Sequence, residues 1–248
     1  MHKKENINLQ KQLSNQETME AFYTNIYKDQ KHDSPDKSRL SIRTRIIAAL
    51  QSLPYSSGNK PLYLLDIGSG PQSLEKDILK TNPKIDGRAK IISVDYADIN
   101  NLLAERNTKK NRISEESLNI KFSVEHVRAS GINLPFKDAS FDLIFSNHAL
   151  DFIAFIDKAA YIETYRVLSK GGQGIFYFHH PDMIPEDLSS IKNLYVKSIW
   201  SKLKSTKFLF DSEDAIKQEL IKYGFKVEEC YLNNDKENKW WETVLKKS

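Results

Sequence analysis

Asp66 closes the apolar run Leu62-Tyr63-Leu64-Leu65, and the turn Ile67-Gly68-Ser69-Gly70-Pro71 follows at once. A second acid, Asp95, closes the next apolar run, Ile91-Ile92-Ser93-Val94. Glycines let a ligand come against bare backbone, and a carboxylate at the end of the following strand can accept both hydroxyls of a ribose. The chemistry implied is capture of an adenosine-containing cofactor. Spacing separates two such cofactors. The dinucleotide pattern G-x-G-x-x-G/A needs its third glycine or alanine where this chain has Ser73, and it seats a pyrophosphate on a helix N-terminus. Asp66 would repel that pyrophosphate, whereas the methionine end of S-adenosylmethionine offers an ammonium for it to bind.

Groups for a second substrate belong beyond the carboxyl ends of later strands, where ligands bind in α/β sheets. His148 and Asp151 follow one apolar run; His179, His180 and Asp182 follow another. His148 and His179 are the catalytic candidates, as bases for an acceptor that must lose a proton. Asp151 and His180 are substrate candidates, with helix capping by Asn147 and Asp151 as the alternative. One of the paired histidines must face away from the other. His179-x-x-Asp182 lacks the ligand set that a divalent cation needs, so no metal is expected. Tyr23, Tyr27, Tyr195 and Trp200 are aromatic candidates for a partly apolar acceptor, with core packing as the alternative.

These groups need a scaffold of alternating strands and helices. Strands are predicted near 62–66, 90–95, 120–128, 141–146 and 173–179. Met19, Phe22, Tyr23, Ile26 and Tyr27 recur at helical spacing, and a second helix is predicted over 38–53, with Ile42, Ile46, Leu50 and Leu53 on one face. Residues 1–16 are polar, as is the piece 98–119. A helix over 157–169 is expected to end at Lys170-Gly171-Gly172, where glycine can take the left-handed cap. After the fifth strand a helix is predicted over 186–203. Another starts at Asp211-Ser212-Glu213-Asp214 and closes at Gly224. Phe225–Cys230 and Trp240–Leu245 read as a terminal hairpin around Asn233-Asn234-Asp235.

Two further segments extend the pattern: Leu134-Pro135-Phe136 running to Phe141-Asp142-Leu143-Ile144-Phe145-Ser146, and Tyr165-Arg166-Val167-Leu168-Ser169-Lys170-Gly171-Gly172. With the glycine turn and Asp95, they resemble the class I S-adenosylmethionine-dependent methyltransferases of the small-molecule, methyltransferase type 11-like kind, over roughly residues 60 to 180. The resemblance implies an α/β fold: a Rossmann-like, mostly parallel seven-stranded sheet with an antiparallel C-terminal hairpin and helical cap segments. It implies S-adenosyl-L-methionine as cofactor. Asp66, Gly68, Ser69, Gly70 and Asn147 would surround its methionine half and Asp95 its ribose. Tyr96, Ser130 and Gly131 or Ile132 would lie at the adenine. Ser130 departs from the family's usual aspartate, although a hydroxyl can accept the same hydrogen bond. Gln72 replaces a frequent third glycine. A cap segment over 1–58 and a core over 59–248, with an insertion at about 181–210, complete the expected organisation. The expected activity is methyl transfer to a small organic acceptor, in specialised metabolism. Methylation of RNA or protein, or a non-catalytic cofactor-binding scaffold, are the alternatives.

Composition narrows the field. Lys and Arg number 37 against 33 Asp and Glu, a net charge of only +4, which gives no strong nucleic-acid signal. Ser146-Asn147-His148-Ala149 lacks the prolines of the adenine-amino methylases, and the single cysteine, Cys230, lies outside the active-site region. One cysteine excludes an intrachain disulfide and fits a reducing compartment. No run reaches bilayer-spanning length and the N-terminus has no apolar signal core, so a cytoplasmic protein without a membrane partner is expected.

Overall fold

The computed structural model describes residues 37–53, 60–70, 73–81, 88–96, 122–184, 186–189, 194–206, 209–234 and 239–248. The expected first helix, with Tyr23 and Tyr27, and the polar piece 98–119 lie outside the described residues. In chain order come α1 (Lys37–Ser52), β1 (Leu62–Ile67), α2 (Ser73–Thr81), β2 (Ala89–Asp95), β3 (Phe122–Arg128) and β4 (Phe141–Asn147). Then follow α3 (Leu150–Ile156), α4 (Ala159–Val167), β5 (Leu168–His179), a 3-10 turn (Pro181–Met183), α5 (Leu194–Thr206), α6 (Glu213–Lys222), β6 (Phe225–Asn234) and β7 (Lys239–Lys247).

The strands form one seven-stranded sheet in the order β3-β2-β1-β4-β5-β7-β6. The pairings from β3 to β5 are parallel, and β7 runs antiparallel to both β5 and β6. Strands covered on both faces must be apolar almost throughout, and β1 and β2 are buried along nearly their whole length. The chain leaves β1 toward β2 on one side and returns to β4 on the other. That reversal opens a crevice over the carboxyl ends of β1 and β4, the usual place for a ligand in such sheets.

Two cores flank the sheet. One joins Leu65, Ile67, Ile144, Leu150, Tyr161, Phe176, Phe178 and Phe225. The other joins Leu64, Ile91, Leu143, Phe145 and Tyr177 to Ile42, Ile46 and Leu50 of α1. Each fully buried aliphatic or aromatic side chain contributes about 1.5–3 kcal/mol. The α1 helix is therefore a layer of this core. Its attachment is also polar. The buried Glu242 of β7 accepts hydrogen bonds from Ser41 Oγ (2.8 Å), Arg45 Nε (3.1 Å), Asn233 Nδ2 (3.0 Å), Trp240 Nε1 (3.0 Å) and the Tyr231 hydroxyl. Burial alone would raise the Glu242 carboxyl, but these donors hold it below the usual glutamate range. Cys230 on β6 is buried, and burial together with Glu213 pushes its thiol up to about 12. Among the described residues no helix is long and apolar enough to cross a membrane.

Several local expectations are corrected. The helix expected over 157–169 is α4, which starts at Ala159, and a helix that was not expected, α3, precedes it; between them Asp157 Oδ1 accepts from Ala159 N at 2.9 Å. Leu150-Asp151-Phe152-Ile153-Ala154-Phe155-Ile156 is apolar nearly all round, so it carries no helical period. Lys170-Gly171-Gly172 does not cap a helix. The chain is already extended from Leu168, which pairs with Phe141, and residues up to Gly172 bulge out before Gln173 pairs with Leu143. A Cβ on Gly172 would lie 2.8 Å from Leu168 Cδ1 and 3.0 Å from the Asp142 carbonyl oxygen. The helix expected over 186–203 begins only at Leu194. Asp187 instead accepts from the Ser189 backbone and hydroxyl, both at 2.7 Å, a local turn that competes with helix. By contrast, α6 starts within Asp211–Asp214 as read, with Ser212 as its cap, accepting from Ala215 N.

Candidate active site

Three segments build the crevice. The first is the glycine turn after β1. Gly68 and Ser69 donate their N–H groups to the Val94 carbonyl at 2.8 and 3.2 Å, and Gly70 N donates to Asp95 Oδ2 at 2.9 Å. The end of β2 thus clamps the turn from below. Gly68 has φ 74, and a Cβ there would meet the Ala149 Cβ at 2.3 Å. Only glycine fits both that conformation and that approach.

Beneath the turn lie two carboxyls that a ligand-free core would have little use for. Asp66 is 2% and Glu75 1% exposed. Glu75, in the first turn of α2, accepts from the Ser93 hydroxyl in the middle of β2. Burial raises the Asp66 carboxyl well above the usual aspartate range, and the negative charges of Glu75 and Asp95 add to it. Burial also raises Glu75, partly offset by the Ser93 hydrogen bond. Two like carboxyls side by side hold a proton between them, because both cannot ionise cheaply in a dry site. Glu75 was not anticipated. The one visible signal was Ser93, a hydroxyl inside an apolar strand that required a polar partner.

The second segment follows β4. Ser146 Oγ donates to the Ile67 carbonyl at 2.8 Å and accepts from Leu150 N at 3.1 Å, tying the end of β1 to the start of α3. His148 takes φ 58, rare for a residue with a side chain, with its N–H on the Tyr177 carbonyl at 3.0 Å. Two buried polar atoms flank the glycine turn without a hydrogen-bond partner: Ser69 Oγ and Asn147 Oδ1. A buried acceptor left unmade costs about 1–3 kcal/mol, so such atoms point to an absent ligand group.

The third segment is the end of β5. The His179 ring Nδ1 lies 2.8 Å from Asp151 Oδ2, and the same oxygen accepts from His179 N at 2.7 Å. Asp151 is fully buried; its other oxygen accepts from Phe152 N at 3.0 Å. Among the described residues its oxygens are taken up by Phe152 N and His179, which makes it a support for the histidine. The His148 ring centroid stands 4.6 Å from that of His179, Phe152 also 4.6 Å, and Trp200 of α5 5.9 Å. His180 is not brought into this group: its Nδ1 accepts from Asp182 N at 3.1 Å and its ring lies 5.8 Å from Trp241. Asp182 in turn is paired with Lys239. The side chain of Tyr195 lies outside the described residues.

Of the adenine-side candidates, Tyr96 directly follows Asp95 at the end of β2 and is half-buried. Ser130 Oγ faces Ile132 N at 3.4 Å within a short bridge to Asn133, and Gly131 packs beneath Ile67 and Ile153. The following loop is held rigid by Arg166, whose guanidinium donates to the carbonyls of Leu134 and Phe136 and pairs with Glu163 and Asp138.

Residues 65–176 match the family model described as a methyltransferase domain. This part of the chain is a methyltransferase domain, and the sheet around it has the fold of S-adenosylmethionine-dependent methyltransferases. The match spans the glycine turn, Asp95, the Asn147–Asp151 segment and most of β5, and S-adenosylmethionine is the methyltransferase's cofactor. Among solved structures, the fold is similar to a S-adenosylmethionine-dependent methyltransferase from Methanosarcina mazei, with TM-score 0.53, 15% identity, and 80% of this chain and 99% of that one covered. It is also similar to the (4+2)-cyclase SpnF, with TM-score 0.54, 13% identity and 88% and 84% coverage. A third is magnesium protoporphyrin IX methyltransferase from Synechocystis PCC 6803 with bound SAH, with TM-score 0.50, 12% identity and 86% and 83% coverage. At these identities the likeness is one of fold. No curated protein sequence matches the methyltransferase.

Proposed function

We propose that this methyltransferase modifies a small organic acceptor of specialised metabolism, bound between the glycine turn and the end of β5. The observation that carries the reading is the pairing of two features. Unsatisfied Ser69 Oγ lies in the turn and unsatisfied Asn147 Oδ1 at the end of β4, and the rings of His148, Phe152, His179 and Trp200 cluster beyond the ends of β4 and β5. A flat, partly apolar molecule matches such walls better than a charged polymer does.

The residues present fit the cofactor. Asp66 and Asn147 Oδ1 supply acceptors for an ammonium, Ser69 Oγ a hydroxyl for a carboxylate, and Asp95 an acceptor for ribose hydroxyls. Tyr96, Ser130 and Gly131 stand where the adenine edge would be read. S-adenosylmethionine supplies an electrophilic methyl group, so the chain's own task is to align an acceptor and exclude water. Trp200, which packs 5.6 Å from Phe152, makes the insertion at 181–210 a cap over that acceptor.

Two measurements test this. Calorimetric titration with S-adenosylhomocysteine should show one site, and Asp95→Asn should weaken it. Incubation of the protein and radiolabelled donor with a cell extract should place label in the small-molecule fraction. Label in precipitable RNA or protein would overturn the acceptor class; absence of cofactor binding would overturn the site.

A further inference from the structure

We infer that His179 is the general base of this methyltransferase, that Asp151 is its positioning residue, and that the acceptor atom is therefore a hydroxyl oxygen on a flat, largely apolar body. The inference rests on the methyl-transfer reading and adds the acceptor's chemical class. Its basis is geometric. Asp151 is buried among apolar neighbours, and its Oδ2 takes both the backbone N–H and the ring Nδ1 of His179. A carboxylate in that position can only accept, so Nδ1 carries the proton and Nε2 keeps a lone pair. Burial alone would raise the Asp151 carboxyl, yet His179 and His148 hold it below the usual range, which keeps it an acceptor. The Nε2 atom makes no hydrogen bond to any described residue, although the side chain is only 9% exposed.

A purely structural histidine would be an expensive choice here. Nearby β5 positions such as Phe178 fill the core with plain aromatic rings, and a buried Asp151 carboxylate is destabilising unless a partner compensates it. The dyad becomes favourable when the ring gains a proton, because an imidazolium then faces a carboxylate at hydrogen-bond distance. That is the geometry in which a carboxylate holds a histidine base in place.

The location is right for the reaction. Gly68 touches Ala149, Ala149 follows His148, and the His148 ring stacks beside His179, so the base lies one side chain away from the cofactor turn. In the step itself, the acceptor O–H bond breaks, its proton passes to His179 Nε2, and its electron pair stays on oxygen to form the new bond to carbon. The methyl group comes from S-adenosylmethionine, which departs as the neutral thioether S-adenosylhomocysteine. The balance needs no other reactant. An amine acceptor already presents a lone pair when neutral and has no need of so built a base. Among the described residues, the titratable groups around the ring are Asp151 from α3 and His148 from the loop after β4; the Tyr161 hydroxyl of α4 senses Asp151. Trp200 and Phe152 are neutral walls.

The test uses the full chain saturated with S-adenosylhomocysteine. In isotope-labelled protein, imidazole NMR over about pH 5 to 9 should show His179 with its proton on Nδ1 and one titration at Nε2. Asp151→Asn should move that midpoint to lower pH. A proton on Nε2, or a ring that does not titrate in either protein, overturns the inference. Turnover is then followed by S-adenosylhomocysteine release on matched phenols and anilines. The hydroxyl member of each pair should be preferred, and His179→Asn should lower kcat by about 100-fold or more with KM little changed. Preference for the aniline, or an unaffected His179→Asn, overturns it. If no pair turns over, the NMR result alone decides. Failure of S-adenosylhomocysteine to bind would instead strike the methyl-donor reading.

Discussion

Glu242 and Asp66 are both buried carboxyls on the same sheet, and they are opposites. Glu242 is ringed by donors from α1, β6 and β7, and its acidity is strengthened in spite of burial. Asp66 has another carboxyl for a neighbour, and its acidity is weakened. The first arrangement ties a helix to a hairpin and has no work left over. The second leaves negative potential and a held proton beneath a backbone turn, which is useful only when a cation arrives. Saturation marks structure and deficiency marks a site, a distinction that burial alone does not draw.

The comparison can be broken experimentally. The largest effect is expected for Glu242→Ala, which leaves Arg45 only its Glu229 partner and strands several buried donors, and should cost about 3–5 kcal/mol in denaturant unfolding at neutral pH. Because the folded acid is strengthened, its stabilisation is present above the ordinary glutamate range and is lost as pH falls through the folded value. The deficit against wild type should therefore shrink in acid; a constant deficit would make Glu242 a packing residue. Next, Asp95→Asn keeps an oxygen for Gly70 N but removes the charge. It should weaken S-adenosylhomocysteine by about 100-fold, or roughly 2–3 kcal/mol, with folding unchanged.

Glu75→Gln should act in the reverse sense to Glu242→Ala. Gln keeps an acceptor for Ser93 and offers Asp66 an amide donor. The raised carboxyls contribute stability that is complete below their unfolded values and is lost as pH rises through the folded ones. Relieving them should thus stabilise the cofactor-free protein by about 1–2 kcal/mol above neutral pH and by nothing in acid. A loss at high pH would show that the pair is not in conflict. The smallest change is Ser41→Ala, which removes one donor of many from Glu242 and one partner from Tyr177. A loss of about 1 kcal/mol or less is expected by thermal or denaturant unfolding.

How much of this was legible depends on distance along the chain. Asp66, Gly68, Gly70 and Asp95 could be read because a strand, a tight turn and a helix lie in one short stretch and impose residue types locally. The seven-stranded, mostly parallel sheet came from family resemblance, and its strand order was not read, since no local pattern says which strands are neighbours. The Asp151–His179 contact joins residues 28 apart in sequence, and nothing in either segment specifies the other. Phe152 was hidden for a related reason: α3 is apolar nearly all round and gives no period. Lys170-Gly171-Gly172 misled because a glycine with φ 76 serves a strand bulge as well as a helix end. Asp187-Leu188-Ser189 delayed the cap helix by satisfying its own backbone, a competition that spacing of apolar residues does not reveal.

Cys230 has a practical corollary. A lone sulfhydryl that is shielded and reluctant to ionise will stay silent toward maleimide dyes under mild conditions. Fluorophores or spin labels can therefore be attached to cysteines introduced on α5 and α1, with the native residue left in place, and the span between the two tags followed as donor and acceptor are added.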